Sequence, residues 1–226
     1  MNDFGKIFPW LVVGAATLVL IFALMPPSLG SAKMNLQEFG SIPVIHEGRM
    51  KPLDSVARTT LMAISNRQDY KDENGQTQPA IRWLTDTMAH KESASALKIF
   101  RIENDQVLAQ LGLEARPLFW RYSVDELMGK YELISEHAEA ADKLKPENRD
   151  IYQQKILELA HHLEVYAKVA RLVSPLMVPP TDNGDQWQSL IQAFAAERQG
   201  TGHNPAVLTL ATILSAYRSN DVKGFN

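Results

Sequence analysis

The chain has 226 residues, a formal net charge of −3 and no cysteine, and its length suits one or two domains with a sizeable core. The nearly balanced charge provides no basic field of the kind that binds nucleic acid, so we expect no nucleic-acid partner. The absence of cysteine excludes disulfides, thiolate metal sites, a cysteine nucleophile and covalent attachment of c-type haem to this chain.

An uncharged apolar segment lies near the N-terminus. Residues 7–25 contain nineteen residues without a charge, about 28 Å of helix at about 1.5 Å per residue, which is close to the hydrocarbon thickness of a bilayer. Trp10 lies at one expected interface, and Pro26-Pro27 would end the helix at the other. The segment predicts one N-terminal transmembrane helix, an anchor over residues 1–27. A cleaved signal peptide is the alternative.

The charges beside this segment predict its orientation. Lys6 precedes the apolar segment and Lys33 follows it, a balance that slightly favours a cytoplasmic N-terminus. We therefore expect a single-pass protein of the bacterial inner (plasma) membrane, in contact with that membrane, with its bulk on the periplasmic side. Residues 28–41 are interpreted as a linker, and residues 42–226 as one α-rich extracytoplasmic domain.

The first part of this domain alternates short helices with extended segments. Residues 42–45 are apolar and partly β-branched, which predicts a short strand. A helical period then runs from Leu53 to a stop at Asn66, and residues 80–90 predict a second amphipathic helix. Asn104 is a good N-cap for a further short helix, which Gly112 would end.

Residues 124–173 contain the clearest periodicity in the sequence. Ser123 and Glu126 have the spacing of a capping box, which predicts the start of a helix. Two heptad series follow, with a break at Lys145-Pro146 between them. Their apolar members are Leu127, Tyr131, Ile134, Ala138 and Ala141, and then Tyr152, Ile156, Leu159, Leu163, Tyr166, Ala170 and Val173. Two such series joined by a short loop predict a long antiparallel helical hairpin.

Two more helices are predicted after a proline-rich crossing. They cover residues 186–199 and Pro205–Arg218, the second with Asn204 as its N-cap. The closing residues, "SNDVKGFN", have the composition of an element start, so we expect either that the folding unit continues past Asn226 or that the last turn docks elsewhere. The predicted fold class is mainly α with at most a minor β element.

The histidines and carboxylates form no recognisable catalytic or metal-binding pattern. His161 and His162 are adjacent, so on a helix they point about 100° apart and cannot bind one metal together. The carboxylates lie on amphipathic helices near lysines, where nothing predicts a raised pKa. The chain contains no H-E-x-x-H, no G-x-S-x-G and no glycine-rich phosphate loop. We therefore predict no catalytic residue and no metal site, and an enzyme is the least favoured class.

The segment "IPVIHEGRMKPLDSVART", residues 42–59, contains the densest cluster of basic side chains. His46, Arg49, Lys51 and Arg58 would lie near one corner, where they could bind an anion such as a haem propionate. The alternative is purely structural. Gly48 then permits a turn, a helix opens at Pro52 with Asp54 or Ser55 as its cap, and the basic residues stay in water or pair with carboxylates.

The same segment contains a pattern shared with a known family. Ile42-Pro43-Val44, Gly48-Arg49, residues 51–55 and Ala57-Arg58 resemble a pattern in large cytochrome c biogenesis proteins of the CcsA/ResC type. Shorter agreements are Trp83-Leu84, "FRIEN", residues 111–113, "RYSVDEL" and the closing "AYRSNDVKGFN". In that family an extracytoplasmic region precedes a polytopic domain that handles haem.

The resemblance implies a role in system II cytochrome c maturation, where haem crosses the membrane and is attached to an apocytochrome. The family's haem centre is a tryptophan-rich loop with flanking histidines. Here the four tryptophans are scattered at positions 10, 83, 120 and 187, so none of the family's haem ligands can be assigned to this chain. Haem is therefore expected only through a partner or through a membrane core that these residues do not include.

The expected function follows from this partial resemblance. We expect an accessory domain that assists haem delivery by binding and positioning apocytochrome c and multi-span cytochrome c assembly proteins. The alternative is a membrane-tethered scaffold protein that has no connection with haem.

Overall fold

The computed structural model describes residues 4–24, 34–116, 120–181 and 186–226. These residues form twelve α-helices: α1 Phe4–Leu24, α2 Leu36–Ser41, α3 Leu53–Ser65, α4 Ala80–Met88, α5 Glu92–Ala96, α6 Asp105–Leu111, α7 Val124–Met128, α8 Tyr131–Asp142, α9 Ile151–Ala170, α10 Leu190–Arg198, α11 Pro205–Arg218 and α12 Val222–Phe225. They also form eight short strands: β1 Pro43–His46, β2 Arg49–Pro52, β3 Asp69–Lys71, β4 Thr77–Pro79, β5 Phe100–Arg101, β6 Arg121–Tyr122, β7 Leu176–Val178 and β8 Gln188–Ser189. The described part of the chain is therefore mainly helical, with short antiparallel strands.

The N-terminal helix α1 does not support the predicted transmembrane anchor. Among the described residues, no helix is both long enough and apolar enough to cross a membrane. The prediction of an anchor over residues 1–27 is therefore wrong for the described residues. The predicted single-pass location at the inner membrane is likewise not supported. The predicted stop at Pro26-Pro27 lies outside the described residues.

The second half of the predicted linker, residues 28–41, contains a helix. The side chain of Asn35 caps the N-terminus of α2, and Leu36 and Phe39 of that helix are buried. Helix α2 packs against α3 and α4. The folded unit therefore begins at α2, while residues 25–33 lie outside the described residues.

Local capping signals in the sequence are confirmed at several helix ends. Asn66 ends α3 in the left-handed conformation, with φ of 55°. The other confirmed signals are the Asn104 N-cap and Gly112 end of α6, the Ser123–Glu126 capping box of α7, and the Asn204 N-cap of α11. Each of these signals acts within a few residues, so the surrounding sequence is sufficient to specify it.

Helices α8 and α9 pack against each other and are joined through a 3₁₀ turn at Pro146–Asn148. The predicted hairpin over about 124–173 is interrupted, because the chain leaves the helix at Gly129 and Lys130 between α7 and α8. Tyr131 therefore lies in the first turn of α8 and is 53% exposed, and Val173 lies beyond α9 and is 40% exposed. The central seam residues are buried: Ile134, Ala138, Ala141, Ile156, Leu159, Leu163 and Tyr166.

The β structure is more extensive than the predicted minor element. A four-stranded antiparallel sheet has the order β2-β1-β7-β8, with β2 at one edge. Strand β7 lies in the predicted proline-rich crossing, and it joins β1 through Ile45 and Leu176. Strand β8 occupies part of the helix predicted over residues 186–199, so α10 begins only at Leu190. Two-stranded sheets pair β3 with β4 and β5 with β6.

A single hydrophobic cluster forms the core of the described residues. Helices α3, α4 and α9 contribute fully buried side chains to it, among them Leu61, Trp83 and Ile156. Val44 of β1 is also fully buried. The four-stranded sheet is thus fixed to the core from one side, and the turn between β1 and β2 extends away from it.

Candidate functional site

The predicted corner at residues 46–52 is a β-hairpin. His46 faces Arg49 in the register of β1 and β2, and the two residues between them, Glu47 and Gly48, have φ of 53° and 72°. A two-residue turn with positive φ at both positions is of type I′, whose twist matches that of the flanking strands. The chain therefore forms a second strand, β2, before the helix begins.

Helix α3 starts immediately after this second strand. Pro52 occupies the N-cap position without a side-chain cap hydrogen bond, so the predicted capping by Asp54 or Ser55 is wrong. Asp54 lies in the first turn and accepts a hydrogen bond from Arg58 Nε at 2.8 Å. Arg58 is therefore paired within α3 and is not joined to the hairpin by any contact among the described residues.

Two of the predicted anion-binding residues contact other side chains, one within the hairpin and one outside it. Lys51 Nζ donates to a carboxylate oxygen of Glu47 at 3.3 Å. His46 Nδ1 lies 3.3 Å from the hydroxyl oxygen of Ser174, which follows α9. Burial lowers the pKa of His46 below its usual value, with the Lys51 charge acting in the same direction and Glu47 opposing. The neutral form of His46 is therefore favoured over the charged form more than in a free imidazole.

Arg49 and Met50 are the outward-facing residues of the hairpin. Both are exposed, Met50 to 63%, and they lie on the edge strand of the sheet. Within the described part of the chain, the Arg49 side chain makes no hydrogen bond. The hairpin therefore presents one guanidinium and one thioether to solvent at a fixed position.

The hairpin brings together three of the four predicted residues, His46, Arg49 and Lys51. The two cavities described in the structure are lined by other residues. Lys51 and Arg58 are each paired with a carboxylate. The predicted binding of an anion by several cationic side chains would therefore require those ion pairs to break. The geometry of the hairpin suits an exposed contact surface, which is closer to the structural alternative.

Asp86 is a buried carboxyl that the sequence did not reveal. Its Oδ1 accepts a hydrogen bond from the Tyr217 hydroxyl at 2.8 Å, and Lys91 Nζ lies 4.0 Å away. Burial raises its pKa above the usual value, contrary to the expectation for the carboxylates. Tyr217 comes from α11, far along the chain from α4, so no local pattern could indicate the pair. The contact joins α4 to α11, and we assign it a structural role.

The histidines lie at separate places in the structure. The ring centroids of His161 and His162 are 6.3 Å apart, and burial lowers the pKa of His162. His137 on α8 contacts the hydroxyl of Tyr152 on α9. Over the residues that the structure describes, no group of three or more His, Cys, Asp or Glu side chains could hold a metal ion.

Comparison with known proteins gives no family assignment. No protein-family model matches this chain, and no curated protein matches it. The resemblance to cytochrome c biogenesis proteins therefore depends on the sequence motifs quoted above.

Proposed function

We propose that this chain is a non-catalytic accessory module of cytochrome c maturation that binds and positions apocytochrome c or a multi-span assembly protein during haem delivery. The observation that carries the proposal is the exposed pair Arg49 and Met50. These two residues lie within residues 42–59, the segment that carries the family resemblance, and both side chains are exposed in the described part of the chain.

Other residues of that segment contribute to the core or to the conformation of the backbone. Leu53, Val56 and Ala57 are fully buried, and Gly48 has the positive φ that the hairpin turn requires. Arg49, in contrast, belongs to the shared pattern, yet among the described residues its side chain makes no hydrogen bond. Arginine and methionine are both enriched in protein interfaces, so this exposed pair supports a role in partner contact.

The hairpin also presents these side chains at low conformational cost. Its type I′ turn and its pairing with β1 hold the backbone of Arg49 and Met50 in one conformation, so little ordering is needed when a partner binds. Successive side chains of a strand point to opposite faces, so a partner that contacts both residues covers the edge of the sheet. It would place an acidic group against the guanidinium on one face and an apolar depression against the thioether on the other.

The test is a double variant, Arg49→Ala with Met50→Ala. We expect the level of mature cytochrome c in the producing cells to fall several-fold, while the unfolding free energy stays within about 0.5 kcal/mol because both side chains are exposed. The control, Ile191→Ala with Arg198→Ala, removes one exposed apolar residue and one exposed arginine from α10 and should leave cytochrome c unchanged.

A photo-crosslinking residue at position 50 identifies the partner directly. Capture of an apocytochrome or of a multi-span assembly protein would support the proposal. Normal cytochrome c levels in the double variant would contradict it. Capture of an unrelated protein together with normal cytochrome c would favour the alternative scaffold function.

A further inference from the structure

Three arginines lie together where α3 ends beside the two-stranded sheet of β5 and β6. Arg101 and Arg121 are direct cross-strand partners in this sheet. Arg121 Nη1 donates to the backbone oxygen of Ser65, the last residue of α3, at 2.6 Å. Arg67 follows two residues later, and its charge acts on Arg121. We refer to Arg67, Arg101 and Arg121 as the arginine cluster.

The arginine cluster is only partly compensated by the fold. Like charges directly opposite each other on neighbouring strands are destabilising. The C-terminal end of α3 compensates the positive charge of Arg121, because helix C-termini carry partial negative charge. Arg101 pairs with Glu103, and among the described residues the Arg67 side chain makes no hydrogen bond or ion pair. Burial and the charges of Arg67 and Arg101 lower the pKa of the Arg121 guanidinium, as expected for crowded cations.

A cavity of about 280 Å³ opens beside the arginine cluster, between α3, β5 and α9. Arg101 is the member of the arginine cluster that lines this cavity, and Asn66, the neighbour of Arg67 in the chain, lines it as well. Apolar residues of α3 and α9, together with Ile102 just after β5, line it as well: Met62, Ile64, Leu159 and Ile102. The wall also contains the charged residues Glu103, Lys155 and Glu158. Its volume lies at the small end of ligand pockets, which suits a compact molecule.

We propose that the arginine cluster and this cavity form a binding site for a small molecule that carries a multiply charged oxyanion, a phosphate monoester or a polycarboxylate, on a compact body. The oxyanion binds to the guanidiniums of Arg67 and Arg101, because planar guanidiniums bind such groups through paired hydrogen bonds. Arg121 adds positive charge from behind. In the free protein Glu103 forms an ion pair with Arg101, so its carboxylate competes with the ligand for that guanidinium. The proposal is independent of the suggested role in cytochrome c maturation.

The test is a titration of the purified 226-residue chain with inorganic phosphate, phenyl phosphate and citrate, followed by amide chemical shifts. We expect saturable binding with shifts around residues 64–67 and 101–103, and tighter binding of phenyl phosphate than of inorganic phosphate. Comparing the affinities for phosphate and for citrate identifies which class of oxyanion the site prefers. Arg67→Gln with Arg101→Gln should weaken binding at least about tenfold, since each removes charge-assisted hydrogen bonds.

Two further variants separate binding from structure. Arg58→Gln removes an arginine that is paired within α3 and should leave the affinity unchanged. Glu103→Gln removes the competing carboxylate and should tighten binding several-fold, a gain that a purely structural role would not produce. Absence of saturable binding, or equal affinity in the wild type and the double arginine variant, would overturn the proposal. Equal affinity for phenyl phosphate and inorganic phosphate would overturn the part assigned to the cavity.

Discussion

Glu126 makes two kinds of contact at the start of α7. One carboxylate oxygen accepts the backbone N–H of Ser123 at 2.8 Å, which completes the capping box. The carboxylate also forms an ion pair with Arg116. The hydrogen bond from Arg116, followed by those from Ser123, lowers the pKa of Glu126 to about 2. The spacing in the sequence predicted the capping box, whereas the contact with Arg116 was found only in the tertiary structure.

The ionisation of Glu126 predicts a specific pH dependence of stability. Because its pKa is lower in the folded than in the unfolded chain, its contribution is complete above the unfolded pKa of about 4.5 and is lost as the pH falls toward 2. We expect Glu126→Gln, which keeps the acceptor for Ser123, to cost roughly 2 kcal/mol at pH 7 after allowance for solvent screening. At pH 3 urea unfolding should give a smaller difference from the wild type.

A control residue makes this test selective. Glu132 is exposed in the first turn of α8, so Glu132→Gln should change the unfolding free energy by less than about 0.5 kcal/mol at either pH. An equal loss at pH 7 and pH 3 in Glu126→Gln would show that the ion pair with Arg116 does not contribute in solution.

At the scale of elements, the hairpin of β1 and β2 was not foreseen, although its turn was. Residues 42–45 predicted the first strand, and Gly48 predicted a turn. The second strand was missed because Arg49–Pro52 is short and polar, and its pattern becomes extended only through pairing with β1. The type I′ turn places positive φ on Glu47 as well as on Gly48, a position where asparagine is usually preferred.

The hairpin turn predicts a contrast between two glycines. Gly48 has φ of +72°, so Gly48→Ala should cost about 1 kcal/mol even though no atom lies within 4 Å of the added Cβ. Gly129, between α7 and α8, has equally open space and φ of −67°, so Gly129→Ala should be neutral or slightly stabilising. Denaturant unfolding of both variants measures the contrast. Equal losses would contradict the assigned turn conformation.

At the scale of the whole molecule, the last helix packs against the first part of the folded unit. Phe225 of α12 is buried, with its ring centroid 5.6 Å from that of Phe39 in α2 and 5.2 Å from that of Tyr217 in α11. The backbone N–H of Asn35 donates to Asn226 Oδ1 at 2.7 Å. The last turn therefore docks on α2.

This docking predicts that Phe225 stabilises α2 as well as α12. Phe225→Ala should lower the unfolding free energy by about 3 kcal/mol, because it removes a buried aromatic ring from between two others. Amide hydrogen exchange in α2 should increase more than exchange in α9. The exposed Lys223 provides the matched control in the same helix, and Lys223→Ala should change neither quantity. Unchanged exchange in α2 would contradict the docking.

The sequence by itself determined the local features of this protein. Helix caps such as Asn104 and Ser123, the helical periods of α3 and α9, and the break at Pro146 depend on neighbours within a few residues. The apolar N-terminal segment was the exception, because the anchor predicted from its composition is not supported by the described part of α1.

The tertiary structure decided everything that depends on residues far apart in the chain. Strand β7 forms because Leu176 pairs with Ile45, the Asp86 contact needs Tyr217, and the arginine cluster needs β5 beside β6. Such long-range pairings leave no local pattern, since their energy comes from partners that only folding brings together.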